Sequence, residues 1–358
     1  KVVPETNSLT YRGYAVQDLA AHCSFEEVAY LLWHGELPTP VQLQQFTQRE
    51  RANRRLDRSA SAVLTRIPDN CHPMDTCRTM ISFLGTQDPD EDLATPASNL
   101  EKAQRMFAVL PTIVARDMRR RRGLEPIAPH HGYGYAENFL YMCFGEVPDP
   151  VIVEAFEQSL ILYAEHSFNA STFAARVVTS TTSDIYSAVT AAIGALKGSL
   201  HGGANEAVMH DMIDIDRPAR VTEWLDGKRE RKEKIMGFGH RVYKNGDSRV
   251  PTMYDALVRV SEHLGEHKWL DIYTELAGLM DERTGIKPNL DFPTGPAYHL
   301  MGFDIGSFTP IFVMARTTGW TAHIIEQTAD NALIRPLSAY DGQPQRAVGA
   351  GSAASGPE

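Results

Sequence analysis

Helix starts and stops follow one another along this chain while alternating strand pattern is scarce, so its core must be made by packing helices on helices. Ser24-Phe25-Glu26-Glu27 is a capping box ahead of Val28, Ala29, Leu31, Leu32 and Trp33, and Gly35 with Pro38 ends the run. Pro251 suits a first helical turn, with Met253, Leu257, Val260 and Leu264 following at spacings of three and four. Trp269, Ile272, Tyr273, Leu276 and Met280 repeat that pattern. Val151 to Tyr163 is apolar on most sides, which predicts a helix enclosed by others. Ser183 to Lys197 predicts an alanine-rich helix that a neighbour can approach closely, stopped by Gly198. The acidic, proline-containing stretch Thr86 to Asn99 reads as a surface loop, and Gly349 to Glu358 as a disordered tail. At 358 residues the chain is long enough for two domains.

A formal net charge of -10 argues against a nucleic-acid partner, whose phosphates would have to be neutralised by Lys and Arg. An anionic ligand must therefore be captured locally. Cys23, Cys71, Cys77 and Cys143 form no C-x-x-C pair and predict reduced thiols and a cytoplasmic setting. No apolar stretch approaches the roughly 18 residues of a membrane span, so no membrane association is expected. The chain begins at Lys1 rather than Met, which leaves a preceding segment, targeting included, open.

Three short segments, the two histidine ones set among glycines, each deliver one titratable side chain: Gly198-Ser199-Leu200-His201-Gly202-Gly203, Gly237-Phe238-Gly239-His240-Arg241, and Asn289-Leu290-Asp291-Phe292. Two histidines and an aspartate form a proton-transfer set, and Arg249, Arg316 and Arg335 downstream imply an anionic substrate. His201 should sit on a turn just past a helix end, a rigid place for positioning. The same three residues could instead be a facial metal triad, although none has a second ligand nearby at helical spacing. Gly237-Phe238-Gly239 lacks the third glycine of a dinucleotide fingerprint. Arg119 to Arg122 reads as a solvated, dipole-complementing helix end, or as a contact for a phosphorylated cofactor. Among the 13 histidines, His22, His34, His72, His263 and His267 are read as structural or exposed.

With those motifs stand Tyr11-Arg12-Gly13-Tyr14, the run Ala164-Glu165-His166-Ser167-Phe168-Asn169-Ala170-Ser171-Thr172, and Ile334-Arg335-Pro336. In this order they closely resemble the citrate synthase family, and within it the bacterial 2-methylcitrate synthases, over nearly the whole chain. The resemblance implies an almost wholly helical fold, with a large domain (1–202 and 306–358) and a small one (203–305) that closes about a hinge at His201. It implies that His201 donates a hydrogen bond to the acyl-CoA thioester oxygen, that Asp291 removes the α-proton, and that His240 polarises the oxaloacetate carbonyl. His166 is implied to bind oxaloacetate, Arg249, Arg316 and Arg335 its carboxylates, and Arg49 to assist. Lys234, Ile235, Met236, Gly237 and Phe238 are implied to lie along CoA. No permanently bound cofactor and no metal is implied. A homodimer is, with Arg335 supplied across the interface.

Within this resemblance Ser199 and Ser248 stand where many members carry proline, and the segment before Tyr11 is short, so some dimer contacts are expected to lie outside this chain. The expected reaction joins propionyl-CoA to oxaloacetate, with acetyl-CoA as the alternative. The two acyl groups differ by one methylene, worth only about 1 to 3 kcal/mol in an apolar pocket. A metal-dependent oxygenase or hydrolase, and a non-catalytic CoA-binding protein, are the readings from other classes.

Overall fold

The computed structural model describes residues 1–3, 8–240, 243 and 246–345. The expected tail Gly349 to Glu358 lies outside them. Among the described residues, sixteen α-helices and one small antiparallel ribbon make the regular structure, so the chain is all-α as expected. The ribbon comprises β1 (Val2–Val3), β2 (Ser8–Tyr11) and β3 (Tyr14–Ala15), with Val2 opposite Leu9 and Thr10 opposite Ala15. Tyr11 anchors it to the core by donating its hydroxyl to the Ile161 carbonyl at 2.9 Å.

The first helices are α1 (Val16–His22), α2 (Phe25–His34), α3 (Pro40–Ala52), α4 (Arg58–Arg66), α5 (Pro73–Thr86) and α6 (Pro96–Arg121). Helix α2 has the ends its sequence predicts: the Glu27 carboxylate accepts from the Ser24 N–H at 2.8 Å, and Gly35 closes the helix at φ 89°. The expected loop after Thr86 is shorter than predicted. Thr95 accepts from the Ser98 N–H and Pro96 occupies the first turn of α6, so this proline opens a helix. Nor are the arginines at its end simply solvated: Arg120 and Arg121 each donate to Asp117 at 2.7 Å, and Arg122 to Asp304 at 2.7 Å.

Next come α7 (Tyr135–Phe144), α8 (Pro150–Tyr163), α9 (Ala170–Ser180) and α10 (Ile185–Leu196). Residues 203–305 hold α11 (Ala204–Ile215), α12 (Val221–Glu230), α13 (Val250–Leu264), α14 (Lys268–Thr284) and α15 (Asp291–Leu300), which pack on one another and, through α13, on α8. The last helix, α16 (Phe308–Ala329), is the axis of the larger part: every residue from Phe308 to Ala322 is buried, against α2, α5, α6, α8, α9 and α10. Its threonines are tolerated there because Thr317, Thr318 and Thr321 donate to carbonyls of the preceding turn at 2.7 Å. No helix among the described residues is long and apolar enough to cross a membrane.

Helix α16 meets the end of α8 at backbone distance. The Gly319 N–H donates to the Ala164 carbonyl at 3.1 Å, and a Cβ at this position would collide with that oxygen and sit 3.1 Å from Glu165 Cα. Both obstacles are backbone, so neither can swing aside. Gly319→Ala is therefore expected to destabilise the protein by about 1 to 3 kcal/mol through overpacking, read as a lower midpoint in denaturant unfolding.

Candidate active site

Four chain segments and one helix converge on a cleft of about 870 Å³. The turn after α10 brings His201, the connection from α8 to α9 brings His166, residues 234–240 form one wall, and the start of α15 brings Asp291. Phe312 and Arg316 enter from α16. The wall and the α15 segment are zipped together. Gly239 N–H donates to the Lys287 carbonyl at 2.9 Å, Asn289 N–H to the Gly237 carbonyl at 2.9 Å, and the Asn289 amide to the Gly239 carbonyl at 3.0 Å. Gly237 has φ 81°, and any Cβ there would strike Val208 and reach Phe292, so only glycine permits this closeness. The predicted run Lys234 to Phe238 thus lies on the cleft, next in sequence to His240.

His201 sits just past the end of α10, as its glycine setting predicts. Its Nε2 is 2.8 Å from Ser171 Oγ and accepts from the Ser171 N–H at 3.3 Å. A backbone N–H can only donate, so Nε2 is unprotonated and the ring proton is on Nδ1. Burial, helped by the Arg316 charge, lowers the His201 pKa to about 4. At neutral pH this is an uncharged imidazole with one N–H to offer.

Asp291 is the first residue of α15, where the positive end of the helix favours a carboxylate. Tyr163, the last residue of α8, donates its hydroxyl to Asp291 Oδ1 at 2.6 Å. Burial outweighs that bond and the Arg249 charge, and pushes the carboxyl up to about 6. It is mostly ionised at neutral pH and far more basic than an ordinary aspartate.

His240 lies with its ring centroid 4.9 Å from that of His166, and both rings approach Tyr243. Burial and the Arg249 charge lower the His240 pKa to about 4, and burial with Arg249 holds His166 well below the usual histidine range. Both are neutral. Arg249 is buried and already matched: Nε and Nη2 donate to the two oxygens of Asp247 at 2.9 and 2.6 Å. Asp247 also accepts from the Leu290 N–H at 3.2 Å, tying this pair to the segment that bears Asp291. Arg316 is 2% exposed and differently placed. Its Nε donates to the Tyr163 carbonyl at 2.6 Å, whereas Nη1 is buried and has no acceptor in the protein. Burial and Arg249 lower its pKa to about 10. A carboxylate arriving in the cleft would satisfy both its charge and that donor.

Two predicted residues are not brought here. Arg49 lies on the exposed face of α3, a helix packed on α2 and α6, and does not line the cleft. Arg335 is exposed on the extended segment after α16, outside the cleft of its own chain. The metal-triad alternative lacks its geometry, since no three His, Cys, Asp or Glu side chains among the described residues are grouped to hold an ion. All four cysteines are free thiols. Sequence reasoning did not single out Tyr163, Asp247 or Ser171 as site residues. Asp247 alone carried a signal, as an acid two residues before a candidate anion-binding arginine.

A family profile described as "Citrate synthase, C-terminal domain" matches residues 1–337. A 2-methylcitrate synthase of Mycobacterium tuberculosis is 73% identical over 97% of this chain and 88% of its own length. A citrate synthase of Mycolicibacterium smegmatis is 72% identical over 97% of this chain and 92% of its own. Among solved structures, citrate synthase from Thermotoga maritima superposes with a TM-score of 0.88 at 38% identity, covering 97% of this chain and 93% of that one. A ternary complex of Thermoplasma acidophilum citrate synthase with carboxymethyl coenzyme A and oxaloacetate gives 0.91 at 32% identity, covering 96% and 92%.

The Tyr163 hydroxyl bonds the charged form of Asp291, so removing it must favour the protonated form. Tyr163→Phe is expected to move the Asp291 titration upward from about 6, read from the carboxyl stretch in difference infrared spectra across pH. A midpoint that stays in place or falls would show that this bond does not tune the carboxylate.

Proposed function

Because the chain belongs to the citrate synthase family, we propose that its cleft condenses an acyl-CoA with oxaloacetate and water, giving the tricarboxylate and free CoA. One observation carries this reading: Asp291, raised to about 6, shares the cleft with neutral His201, lowered to about 4. A thioester α-carbon is weakly acidic and yields its proton to a carboxylate only if the oxygen that gains charge is met by a fixed donor. Asp291 takes that proton. His201, with Nε2 engaged by Ser171, offers Nδ1–H to the thioester oxygen. The enol carbon then attacks the oxaloacetate carbonyl carbon, which His240 polarises, and His240 gives its ring proton to the new alkoxide. Water finally adds to the thioester, CoA leaves as a thiol, and this hydrolysis makes the sequence effectively one-way.

Arg316 is the natural carboxylate partner, through its unmatched buried Nη1, and Arg249 presents the edge that Asp247 leaves open. The segment Lys234 to Phe238 runs along the CoA chain. Arg335 completes the site from a second subunit. Leu333, Leu337 and Tyr340, which flank it on the same extended segment, are 63, 90 and 80% exposed here, and a partner chain would cover them. Residues 203–305 form the closing unit, and closure excludes water from the enol before condensation. Free cysteines and the absence of a spanning helix among the described residues fit a cytoplasmic enzyme.

Propionyl-CoA is the acyl donor we favour, with acetyl-CoA accepted too. Relatives named for each activity match this chain almost equally, at 73 and 72% identity. The ratio of kcat/KM for the two thioesters, followed as CoA release at saturating oxaloacetate, is expected to favour propionyl-CoA. A preference for acetyl-CoA would make citrate the main product, and turnover of neither would overturn the reaction.

Asp291→Ala and His201→Ala should each lower turnover at least about a thousandfold with the fold retained by circular dichroism. Near-normal turnover in either would remove that residue from its role. The base must be deprotonated, and its pKa is raised, so activity is present above about pH 6 and is lost as pH falls through it. kcat/KM for the thioester should therefore drop about tenfold per pH unit on the acid side of pH 6.

A further inference from the structure

The turn that presents His166 is held by a chain of three side chains outside the cleft lining, Glu165 buried and His323 and Arg176 half-buried. Ser167 adopts φ 52°, a left-handed conformation that a residue with a Cβ enters only at a cost. Its N–H donates at 2.7 Å to Glu165 Oε2. The other oxygen of Glu165, Oε1, lies 2.7 Å from His323 Nε2. His323 Nδ1 in turn lies 3.0 Å from Arg176 Nη1. A guanidinium has only donors, so Nδ1 accepts and the ring proton is on Nε2, given to Glu165. Donation therefore runs from Arg176 through His323 to one oxygen of Glu165, whose other oxygen accepts from the Ser167 N–H.

Both flanks of His166 are gripped by this chain. Glu165 precedes it, and Phe168 after it lies under the Arg176 guanidinium at 5.0 Å and edge-on to the His323 ring at 5.4 Å. Arg176 is fixed from the far side by Gln327 Oε1 at 3.0 Å and the His323 carbonyl at 3.2 Å. His323 and Gln327 lie on α16, the helix that also carries Arg316, and Arg176 lies on α9. The chain thus references the His166 turn to the same rigid element as the anion-binding guanidinium.

We propose that Arg176, His323 and Glu165 form a positioning relay that fixes the His166 turn for the dicarboxylate substrate, without themselves touching it. This rests on the condensation reading for the identity of the dicarboxylate. The relay acts on the oxaloacetate subsite and not on the CoA wall of residues 234–238, so its loss should be selective.

Glu165→Gln leaves one good acceptor where two donors, Ser167 N–H and His323 Nε2–H, need one each. It is expected to raise KM for oxaloacetate, and the oxaloacetate Kd by titration calorimetry, about tenfold, with KM for the acyl-CoA within about twofold. Arg176→Gln, which leaves the Glu165 to Ser167 bond in place, is expected to shift the same constants in the same direction by about threefold, and serves if the first variant does not fold. Equal shifts in both KM values, a fall in unfolding temperature alone, or unchanged oxaloacetate binding in Arg176→Gln would overturn the relay. If the unaltered protein binds oxaloacetate but releases no CoA, the condensation reading fails while the calorimetric comparison still decides the relay.

Discussion

Withdrawal from water reverses the usual order of basicity in the cleft, driving Asp291 up to about 6 while His201 and His240 fall to about 4. In water an imidazole takes a proton well before a carboxylate does. Here the carboxylate is the stronger base, and the imidazoles stay neutral beside it. An imidazolium would be a stronger donor, but it would also sit as a buried cation among Arg249 and Arg316. A neutral ring that only lends its N–H avoids that repulsion. The division of labour proposed for Asp291 and His201 thus follows from one physical condition, burial, which raises the carboxyl against the pull of the two guanidiniums and lowers the imidazoles with their help.

That condition has to be created by chain segments far apart in sequence. Tyr163 and Asp291 are bonded across the end of α8 and the start of α15, while Asp247 holds both Arg249 and the Leu290 backbone. The paired backbones at 237–239 and 287–289 keep the segments that bear His240 and Asp291 in fixed relation. Arg316 is the exception to a matched site. Its Nη1 has no acceptor within the protein, and a carboxylate bound in the cleft would supply one.

Local chemistry was legible in the sequence wherever a single element decides it. The capping box of α2, the stop after α10 and the helical runs after Pro251 and before Met280 are all found where their residues place them. Pro96 misled because a proline reads equally as a loop residue or as a first helical turn, and only Thr95 ahead of it distinguishes the two. His201 and His240 were visible through their glycine neighbours, since close backbone approach needs glycine, whereas Asp291 stood out as an acid in the Asn289-Leu290-Asp291 motif of the resemblance. Tyr163 was not, because a tyrosine at the end of an apolar helix looks like any core residue until its partner, 128 positions on, is in place. Arg49 lies outside the cleft of its own chain, and a basic residue on a polar helix has no local mark that tells a ligand contact from a solvated face.

Helix α16 serves several ends at once along a single rod. Its first turn meets Glu206 through the Thr309 N–H, then Phe312 and Arg316 enter the cleft, Gly319 touches the backbone before Glu165, Trp320 donates to Ser171, and His323 reaches Glu165. Each residue in an α-helix turns the chain by about 100° and advances it about 1.5 Å. One residue added or lost within this rod would rotate every later contact off its partner, and no flexible loop is present to absorb the error. Length variation in such a protein is therefore confined to its connections, such as the one before Thr95, while α16 is free to change composition only at constant count.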